Sequence, residues 1–536
     1  MSLFDLATSE PDPVYGAAVC IIGGGMAGLV VGQRLARAGV RVITLESGGL
    51  VFDEHVHDLN HIEDTTRRYT RIMTGRYRGL GGSSSHWGGR MLPISRHEKD
   101  AREYLSQAPW PIPPEEMDRY EPDVDRLFQL APGSFEEDVL DTVDRHAAFP
   151  RNDQDFTCRW AKWPKLVHCN LGTVMRREIE ASRIWDVWMN ATVTGFVMDR
   201  ERGRLSSVIA KGPDSRSIAV GATRFVIAAG TFESTRLLLW MQAEGGGHPF
   251  ARTDCLGRYF QEHVMARIAT VSRHDAAMTN RLFSQHFAGG TRRSIHLELS
   301  CQAQRHDQVA SAFVYVAMDY ERSPVLALKE VARGIQAGRL EVRKMVGLAP
   351  KVGFIGKAAF WRYGRQQLFM PKEVPFHLEA VCEQLPDAAN RVELSSNRDR
   401  LGVPKIRLHW QPRDAEEQTF RSVVSRIGHY WRRNRLDGVA PLTWSPTCRD
   451  PHSSIAEEAV DYAHPSGTTR SGLTAAASIV NADLACHEVP NVSVVSASVF
   501  PTAGSANPTF TIMQLAMRLA DWLIVQTAVY PIQILA

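Results

Sequence analysis

The chain has 536 residues, which at about 100–200 residues per domain is enough for two large domains with well-developed cores. Hydrophobic residues make up 44% of the sequence and charged residues 23%, values that exclude a disordered, collagenous or fibrous protein. The 62 basic and 59 acidic residues leave a formal net charge of only +3, so charge indicates neither nucleic acid nor a strongly acidic partner.

Cysteine usage and the N-terminus indicate the cellular compartment. The eight cysteines are scattered, form no CxxC pair and lie mostly in apolar runs, so we expect reduced core thiols and no zinc ribbon. The first sixteen residues are acidic and lack the basic start and apolar centre of a signal peptide. No apolar run approaches the ~18 residues of a membrane span. These features predict a cytoplasmic protein.

The first 50 residues predict a strand, a glycine-rich turn, a helix and a second strand. A buried strand is expected over 17–22, a helix over 29–38 and a strand over 41–45. The later predicted elements are a strand over 225–230, a helix over 232–241, strand-rich material over 263–320 and 376–410, a helical segment over 323–372, a strand over 491–496 and a helix over 508–526.

Nucleotide-fold signals thus occur at both ends of the chain and in its middle, with strand-rich material between them. This order predicts an α/β protein, α+β overall. In it, a discontinuous Rossmann-like domain is interrupted by a substrate domain built on a largely antiparallel sheet plus helices. The predicted boundaries assign 1–95, 181–265 and 460–536 to the dinucleotide-binding domain, and 96–180 and 266–459 to the substrate domain.

The first chemical motif is the GxGxxG pattern that follows the first predicted strand. Gly23 permits the tight turn, Gly25 lets the backbone approach a pyrophosphate, and Gly28 lets the helix pack on the sheet. Glu46 closes the second strand, where a carboxylate accepts hydrogen bonds from ribose hydroxyls. The alternative is a glycine-rich turn with a surface glutamate. The pattern predicts a dinucleotide site without separating FAD from NAD.

The motif continues into LESGG and then into RGLGGSSSHWGG over 78–89, a combination that resembles the glucose–methanol–choline (GMC) oxidoreductase family. In that family a Gly-Gly-Ser/Thr loop wraps the flavin. Three later stretches also resemble family segments: FVIAAG with ESTRLL within 225–238, DCLGRYFQEH over 254–263, and VVSASVFPT with NPT within 494–509. Residues 270–375 match no family segment. The resemblance implies FAD as the cofactor.

The resemblance also implies which residues contact the FAD. They lie in the quoted motifs and in one strand between them. The expected cofactor-binding residues are Gly23, Gly25, Met26, Ala27, Gly28, Glu46, Ser47, Gly82, Ser83, His86, Trp87, Gly88, Gly89, Val193, Ala229, Gly230, Ser498, Asn507, Pro508 and Thr509.

Oxidation of an alcohol by a flavin needs a base for the hydroxyl proton and a group that holds the oxygen. The resemblance assigns these roles to His464, in YAHPSGTTR, and Asn507, in ANPT. A core histidine satisfied by backbone is the alternative for His464. Asn507 is also a candidate N-cap before Pro508, a role compatible with catalysis.

His86 has a second predicted role. The stretch Ser84-Ser85-His86-Trp87 resembles one in pyranose oxidases that carries the flavin covalently through its histidine, and the alternative is a histidine that only packs on the flavin ring. The remaining histidines form no HExxH pattern. His55 and His57 share strand spacing but lack a nearby third ligand, so no metal site is expected.

The resulting hypothesis is an FAD-dependent oxidation of a primary or secondary alcohol to an aldehyde or ketone. The resemblance implies a sugar, glycoside or related polyol as substrate, with oxygen or a soluble acceptor taking the electrons and no nucleic acid involved. The tryptophans at 160, 163, 185 and 188 offer either a sugar-stacking surface or core packing. A redox-neutral flavin-containing lyase and a non-enzymatic flavin-binding docking protein are the alternatives.

The segment 323–372 has no assigned role in this hypothesis. It holds ten lysines and arginines against two acidic residues, Glu330 and Glu341. It is either a solvated helical face or a docking surface for an anionic membrane, an acidic partner or a phosphorylated substrate.

Overall fold

The computed structural model describes residues 2–139, 150–214, 216–247, 249–321, 323–336 and 352–529. Its strands, in chain order, are β1 (Leu3–Asp5), β2 (Val14–Ile22), β3 (Val42–Leu45), β4 (Ile62–Asp64), β5 (Phe156–Trp163), β6 (Trp185–Met189), β7 (Thr192–Asp199), β8 (Arg204–Lys211), β9 (Ser217–Ile227), β10 (His263–Val271), β11 (His286–Ala288), β12 (Thr291–Leu299), β13 (Ala312–Met318), β14 (Phe376–Glu383), β15 (Arg391–Arg398), β16 (Pro404–His409), β17 (Leu442–Trp444), β18 (Val460–Asp461) and β19 (Val492–Val494).

The α-helices range from one turn to 21 residues. In chain order they are α1 (Met26–Arg37), α2 (Glu54–His57), α3 (Arg96–Lys99), α4 (Pro114–Asp118), α5 (Glu121–Leu127), α6 (Leu166–Cys169), α7 (Leu171–Ala181), α8 (Gly230–Glu244), α9 (Ala276–Phe283), α10 (Cys301–Asp307), α11 (Pro324–Gln336), α12 (Val352–Ala359), α13 (Asp414–Arg433), α14 (Pro446–Arg449), α15 (Ile455–Glu458) and α16 (Thr509–Val529). Among the described residues, no helix is both long enough and apolar enough to cross a membrane.

The first sheet has the order β1-β6-β3-β2-β9-β8-β7, and β19 also pairs with β9. β2 lies between β3 and β9, is parallel to both, and buries its last six residues. The register aligns Ile22 with both Leu45 and Ile227, so the next residue of each strand lies at the carboxyl edge of the sheet. In parallel sheets this edge is where ligands bind.

The second sheet has the order β11-β12-β13-β14-β10-β17, with β5 paired to β12 and β18 paired to β10. Its pairings are antiparallel. Helix α13 packs on β14 and buries Phe420, Val423 and Ile427, which recur at the helical spacing of three to four residues. Together the two sheets confirm the predicted fold class.

Strand pairing crosses the predicted domain boundaries at two places. The boundary between 265 and 266 falls within β10, whose residues 263–265, given by the prediction to the cofactor domain, pair with 381–383 of β14 in the predicted substrate domain. A small third sheet pairs β4 in parallel with β16 from the predicted substrate domain. The division into domains therefore stays a prediction.

Two helices interrupt the predicted strand-rich region 263–320. α9 is capped by the side chain of Asp275, which accepts from the Met278 amide, and α10 by Ser300, which accepts from the Ala303 amide. These N-cap signals outweigh the local alternation. The predicted helical segment 323–372 contains α11 and α12. Residues 337–351 of this segment lie outside the described residues.

Candidate active site

A cavity of about 540 Å³ lies at the carboxyl edge of the first sheet. Its wall combines the turn after β2, the end of β3, the loop around 79–89, the start of β7, the end of β9 and the start of α16. The predicted site residues that line it are Gly23, Gly25, Met26, Ala27, Glu46, Ser47, Gly82, Ser83, His86, Trp87, Gly88, Gly89, Val193, Ala229, Gly230, His464, Asn507, Pro508 and Thr509.

Two predicted cofactor contacts, Gly28 and Ser498, do not line this cavity. A Cβ on Gly28 would lie 1.9 Å from the carbonyl oxygen of Gly23, so this glycine closes the turn from behind. Ser498 is fully buried, and its Oγ accepts from Thr469 Oγ1 at 2.6 Å. Both residues therefore lie behind the cavity wall and do not contact the cavity itself.

The turn after β2 gives the cavity a surface made of backbone. A Cβ on Gly23, whose φ is +109°, would lie 2.6 Å from the carbonyl oxygen of Ala228. A Cβ on Gly25 would instead point into open space, where its nearest contact beyond the adjoining residues would be the Ala228 carbonyl oxygen at 3.9 Å. Gly25 is the N-cap of α1, and no side chain caps this helix end. The first-turn amides and the glycine cradle fit a dinucleotide pyrophosphate.

Glu46 closes this end of the cavity. Its carboxylate accepts from the amides of Gly24 at 2.7 Å, Gly48 at 2.9 Å and Gly79 at 2.9 Å. Burial raises the pKa of Glu46, while these three amides act against that shift. The carboxylate thus holds two glycine loops together, and its predicted contact with ribose hydroxyls stays a prediction.

His86 lies in the same wall and stacks on Tyr77, with ring centroids 3.7 Å apart and planes 8° apart. Ser85 Oγ donates to the Gly82 carbonyl at 2.8 Å, so it accepts from His86 Nδ1–H at 2.7 Å. This leaves His86 Nε2 without a proton. Burial lowers the pKa of His86, which also favours the neutral ring.

His464 lies in a chain of hydrogen bonds that runs through a second histidine. The Nε2–H of His263 donates to the Gly504 carbonyl at 2.8 Å, which leaves His263 Nδ1 as an acceptor. The Nδ1–H of His464 therefore donates to His263 Nδ1 at 2.9 Å, and His464 Nε2 carries no proton. Burial and the neighbouring His263 lower the pKa of His464 well below its ordinary value. His464 is thus a neutral ring whose Nε2 is unprotonated.

Asn507 contacts the unprotonated Nε2 of His464. Its Nδ2 lies 3.3 Å from His464 Nε2 and donates to it. Its Oδ1 is buried and has no hydrogen-bond partner among the described residues. An N-cap would use Oδ1 as the acceptor of a backbone amide, so the predicted capping role of Asn507 is not formed here. The amide is instead available to a ligand oxygen.

His263 and its neighbour Glu262 also belong to the site, although neither was predicted as a site residue. Glu262 accepts from the main-chain amides of His464 at 2.5 Å and His263 at 3.0 Å, and from the Tyr69 hydroxyl at 2.7 Å. Burial raises the pKa of Glu262 to about 8. The only available signal was that both residues end the family-like stretch 254–263.

The tryptophans divide into two groups. Trp160, Trp185 and Trp188 are buried in the cores, whereas Trp163 lines the cavity.

Metal ligands and cysteines add no further site among the described residues. No group of three or more potential metal ligands occurs there. The eight cysteines, all within the described residues, form no disulfide, and Cys301 is exposed where a core thiol was expected.

Comparison with known proteins gives two family matches. Residues 386–516 match the model for "GMC oxidoreductase", and residues 21–67 match a "NAD(P)-binding Rossmann-like domain". The second match contains the glycine turn and Glu46, and the first contains His464 and Asn507.

Curated relatives and solved structures agree with these matches. The chain is 23% identical to a 2-methyl-1,2-propanediol dehydrogenase from Mycolicibacterium austroafricanum, over 94% of each chain. It is 29% identical to paromamine 6'-oxidase from Streptomyces fradiae over 27% of this chain and 24% of the relative. Formate oxidase from Aspergillus oryzae superposes with a TM-score of 0.53 at 15% identity, covering 97% of this chain and 99% of that chain.

Proposed function

Because this chain belongs to the GMC oxidoreductase family, it is an FAD-dependent enzyme that oxidises CH–OH groups, and we propose that its substrate is a sugar, a glycoside or a related polyol. The hydroxyl oxidised is primary or secondary, and the product is an aldehyde or a ketone. Of the four tryptophans considered for sugar stacking, Trp163 is the one that lines the cavity, and the guanidinium groups of Arg90 and Arg292 lie 5.1 and 4.4 Å from the centre of its ring.

FAD fits the residues that line the cavity. The turn at 23–28 and the first-turn amides of α1 would hold the pyrophosphate, Glu46 and Ser47 the ribose, and Ala229, Gly230 and Val193 the adenine end. When bound, FAD supplies the acceptor for the hydride that leaves the substrate carbon.

The observation that carries the proposal is the unprotonated Nε2 of His464, which lies 3.3 Å from Asn507 Nδ2. A substrate hydroxyl that replaces this direct contact would donate its proton to Nε2, while the Nδ2–H of Asn507 would donate to the hydroxyl oxygen. His464 becomes positively charged in this step, and its Nδ1–H stays bonded to His263. The oxygen then forms a carbonyl, to which Asn507 still donates.

The decisive test is anaerobic mixing of the purified yellow protein with a panel of sugars, glycosides and polyols, followed by the absorbance of the flavin. Bleaching with formation of the matching ketone or aldehyde supports an alcohol oxidoreductase. A lyase or a docking protein would leave the flavin oxidised with every compound. Reoxidation of the bleached enzyme by oxygen or by a soluble dye then identifies the class of acceptor.

We also propose that part of 323–372 makes a peripheral contact with an anionic membrane. Supporting features are the exposed side chains of Phe360 and Tyr363, at 60% and 76%, and the nearby basic residues Lys357, Arg362 and Arg365. Vesicles that contain anionic lipid should pellet the protein at low salt and release it at high salt. Pelleting that persists in Lys357→Glu/Arg365→Glu would contradict the proposed contact.

A further inference from the structure

Arg90 lines the cavity beside the proposed base and has no role in the mechanism above. Its Nη1–H donates to the Tyr462 hydroxyl at 3.3 Å, and the Tyr462 and His464 rings meet edge to face with centroids 5.0 Å apart. The guanidinium carbon lies 5.1 Å from the centre of the Trp163 ring and 4.5 Å from that of Tyr315. These contacts hold a guanidinium close to the place where the substrate hydroxyl would be bound.

The other charged side chains of the cavity wall already have partners. Arg78 lies 2.9 Å from the carboxylate of Glu233, and Arg76 lies 4.0 Å from the same carboxylate. Glu46 accepts from three backbone amides. Arg90 differs from them because it pairs with no carboxylate of the described residues.

The route from Arg90 to a carboxylate runs through two tyrosine hydroxyls. Tyr462 donates to Tyr315 at 3.0 Å, and Tyr315 donates to Glu379 at 2.6 Å. The Glu379 carboxylate also forms an ion pair with Arg267, whose Nη2 lies 3.4 Å from Glu379 Oε1, so two cations share this one negative charge. Arg90 therefore has no carboxylate of the described residues in direct contact, and a half-buried cation of this kind is stabilised by an anion that brings its own acceptors.

We propose that Arg90 binds a carboxylate of the substrate, so that the alcohol oxidised at His464 is a hydroxy acid, such as a sugar acid. This inference rests on the proposed function and narrows its substrate class. A guanidinium offers paired N–H donors that match the two oxygens of a carboxylate. An amino sugar would place an ammonium group in the same positive field and be disfavoured.

The carboxylate takes no part in the bond changes. At the reacting carbon the C–H and O–H bonds break and a C=O bond forms. FAD, when bound, would supply the acceptor for the hydride and its two electrons, and the proton would go to His464 Nε2. The product is an oxo acid that keeps the same carboxylate, so Arg90 would bind substrate and product alike and act on affinity more than on the rate of the chemical step.

The test compares matched pairs that differ in one carboxylate: glycolate with ethylene glycol, glycerate with glycerol, and D-gluconate with D-glucitol. Their affinities for the FAD-loaded enzyme are measured anaerobically from the perturbation or bleaching of the flavin spectrum. In at least one pair, we expect the acid to bind the wild-type enzyme at least about 10-fold more tightly than its neutral partner, because charge-assisted bonds to a desolvated cation are lost with the neutral compound.

Three variants locate that preference. Arg90→Gln should abolish it, and Arg90→Lys should retain part of it, because the charge remains while the paired donors are lost. Arg200→Gln removes the same charge from an exposed position in the turn after β7 and should keep the whole preference. FAD content and the flavin spectrum show that each variant is folded.

The outcomes separate this inference from the proposed function. Absence of the preference in all three pairs, its persistence in Arg90→Gln, or tighter binding of glycerol 3-phosphate than of glycerate would overturn carboxylate recognition by Arg90. Bleaching by neutral polyols in those cases would leave the proposed function standing. If acids bind with the predicted preference and no alcohol ever bleaches the flavin, the proposed function fails and the carboxylate site remains.

Discussion

The two ends of the cavity are built from different parts of the polypeptide. At the glycine end the backbone forms the surface: Gly81 donates its amide to the Gly24 carbonyl at 2.8 Å, and Gly25 leaves open space. At the other end, side chains from three distant segments meet: His263, His464 and Asn507. Added side-chain atoms would block ligand binding at the surface made of backbone. The hydrogen-bonded side chains at the other end depend instead on which nitrogen of each histidine carries the proton. Substitutions at the glycine end should therefore reduce FAD binding, and substitutions at the other end should lower the rate of flavin reduction.

The largest effect is expected at Gly25. In Gly25→Trp the indole would fill the space above the first-turn amides of α1, where the pyrophosphate is expected. The protein should then purify as colourless apoprotein. The measurement is the FAD absorbance per chain after gel filtration, together with circular dichroism to establish that the fold is kept.

The matched control for this substitution is Gly16→Trp. Gly16 lies at the exposed start of β2, has no positive φ, and an added Cβ there would meet nothing within 4 Å. This variant should keep its FAD. A Gly25→Trp protein with full flavin occupancy would show that the turn at 23–28 is not the phosphate site.

Removal of the proposed base should give the next largest effect. His464→Ala should retain FAD but reduce it about 10²–10⁴-fold more slowly with substrate, the usual cost of losing a general base. Asn507→Ala should be slowed as well, because its amide holds the same oxygen. Since both residues act on one oxygen, the double variant should lose much less than the product of the two single losses.

Anaerobic stopped-flow reduction measures this step directly, and the flavin spectrum of each variant serves as its control. Because the pKa of His464 is lowered, the wild-type rate should stay constant at neutral pH. It should fall only as the pH drops below the ordinary histidine value, where Nε2 becomes protonated. An unchanged rate of reduction in His464→Ala across pH would remove His464 from the mechanism.

His263 should give a smaller effect, because it acts through His464 rather than on substrate. His263→Leu removes the acceptor for His464 Nδ1–H, so the ring is free to place its proton on Nε2. Positioning residues of this kind typically cost about 10–100-fold. His263→Gln offers an amide oxygen as a replacement acceptor and should recover part of the rate. Equal losses in both variants would indicate a packing role instead.

How far the sequence predicts each end follows from this difference. The sequence predicted cofactor-binding roles for the glycine turn, Glu46 and the 82–89 loop, because each of these roles can be assigned from neighbouring residues in one short motif. Gly28 and Ser498 were assigned to the cofactor because they belong to such motifs, and only the fold shows that one closes a turn and the other bonds to Thr469.

The hydrogen-bond chain at the catalytic end was not predictable in this way. His263 and His464 are 201 residues apart, and their bond depends on β10 bringing the first histidine under the loop of the second. Arg90 follows a recognised motif, but its lack of a carboxylate partner appears only when Tyr462, Tyr315 and Glu379 are assembled. The sequence therefore indicates the reaction class, while proton positions and charge balance require the structure.

The smallest effect on rate is expected at His86, a side chain within the backbone-built end. Its Nε2 is unprotonated because Nδ1–H donates to Ser85, so this nitrogen is free to form a bond to flavin. If the predicted covalent attachment exists, flavin should precipitate with the wild-type protein in acid and stay in the supernatant with His86→Ala. Ser85→Ala removes the bond that fixes the ring and should lower the covalent fraction while leaving His86 in place. Flavin found wholly in the wild-type supernatant would contradict the attachment, and the glycine end would then hold its cofactor without covalent chemistry, through backbone amides and the stacked pair of His86 and Tyr77.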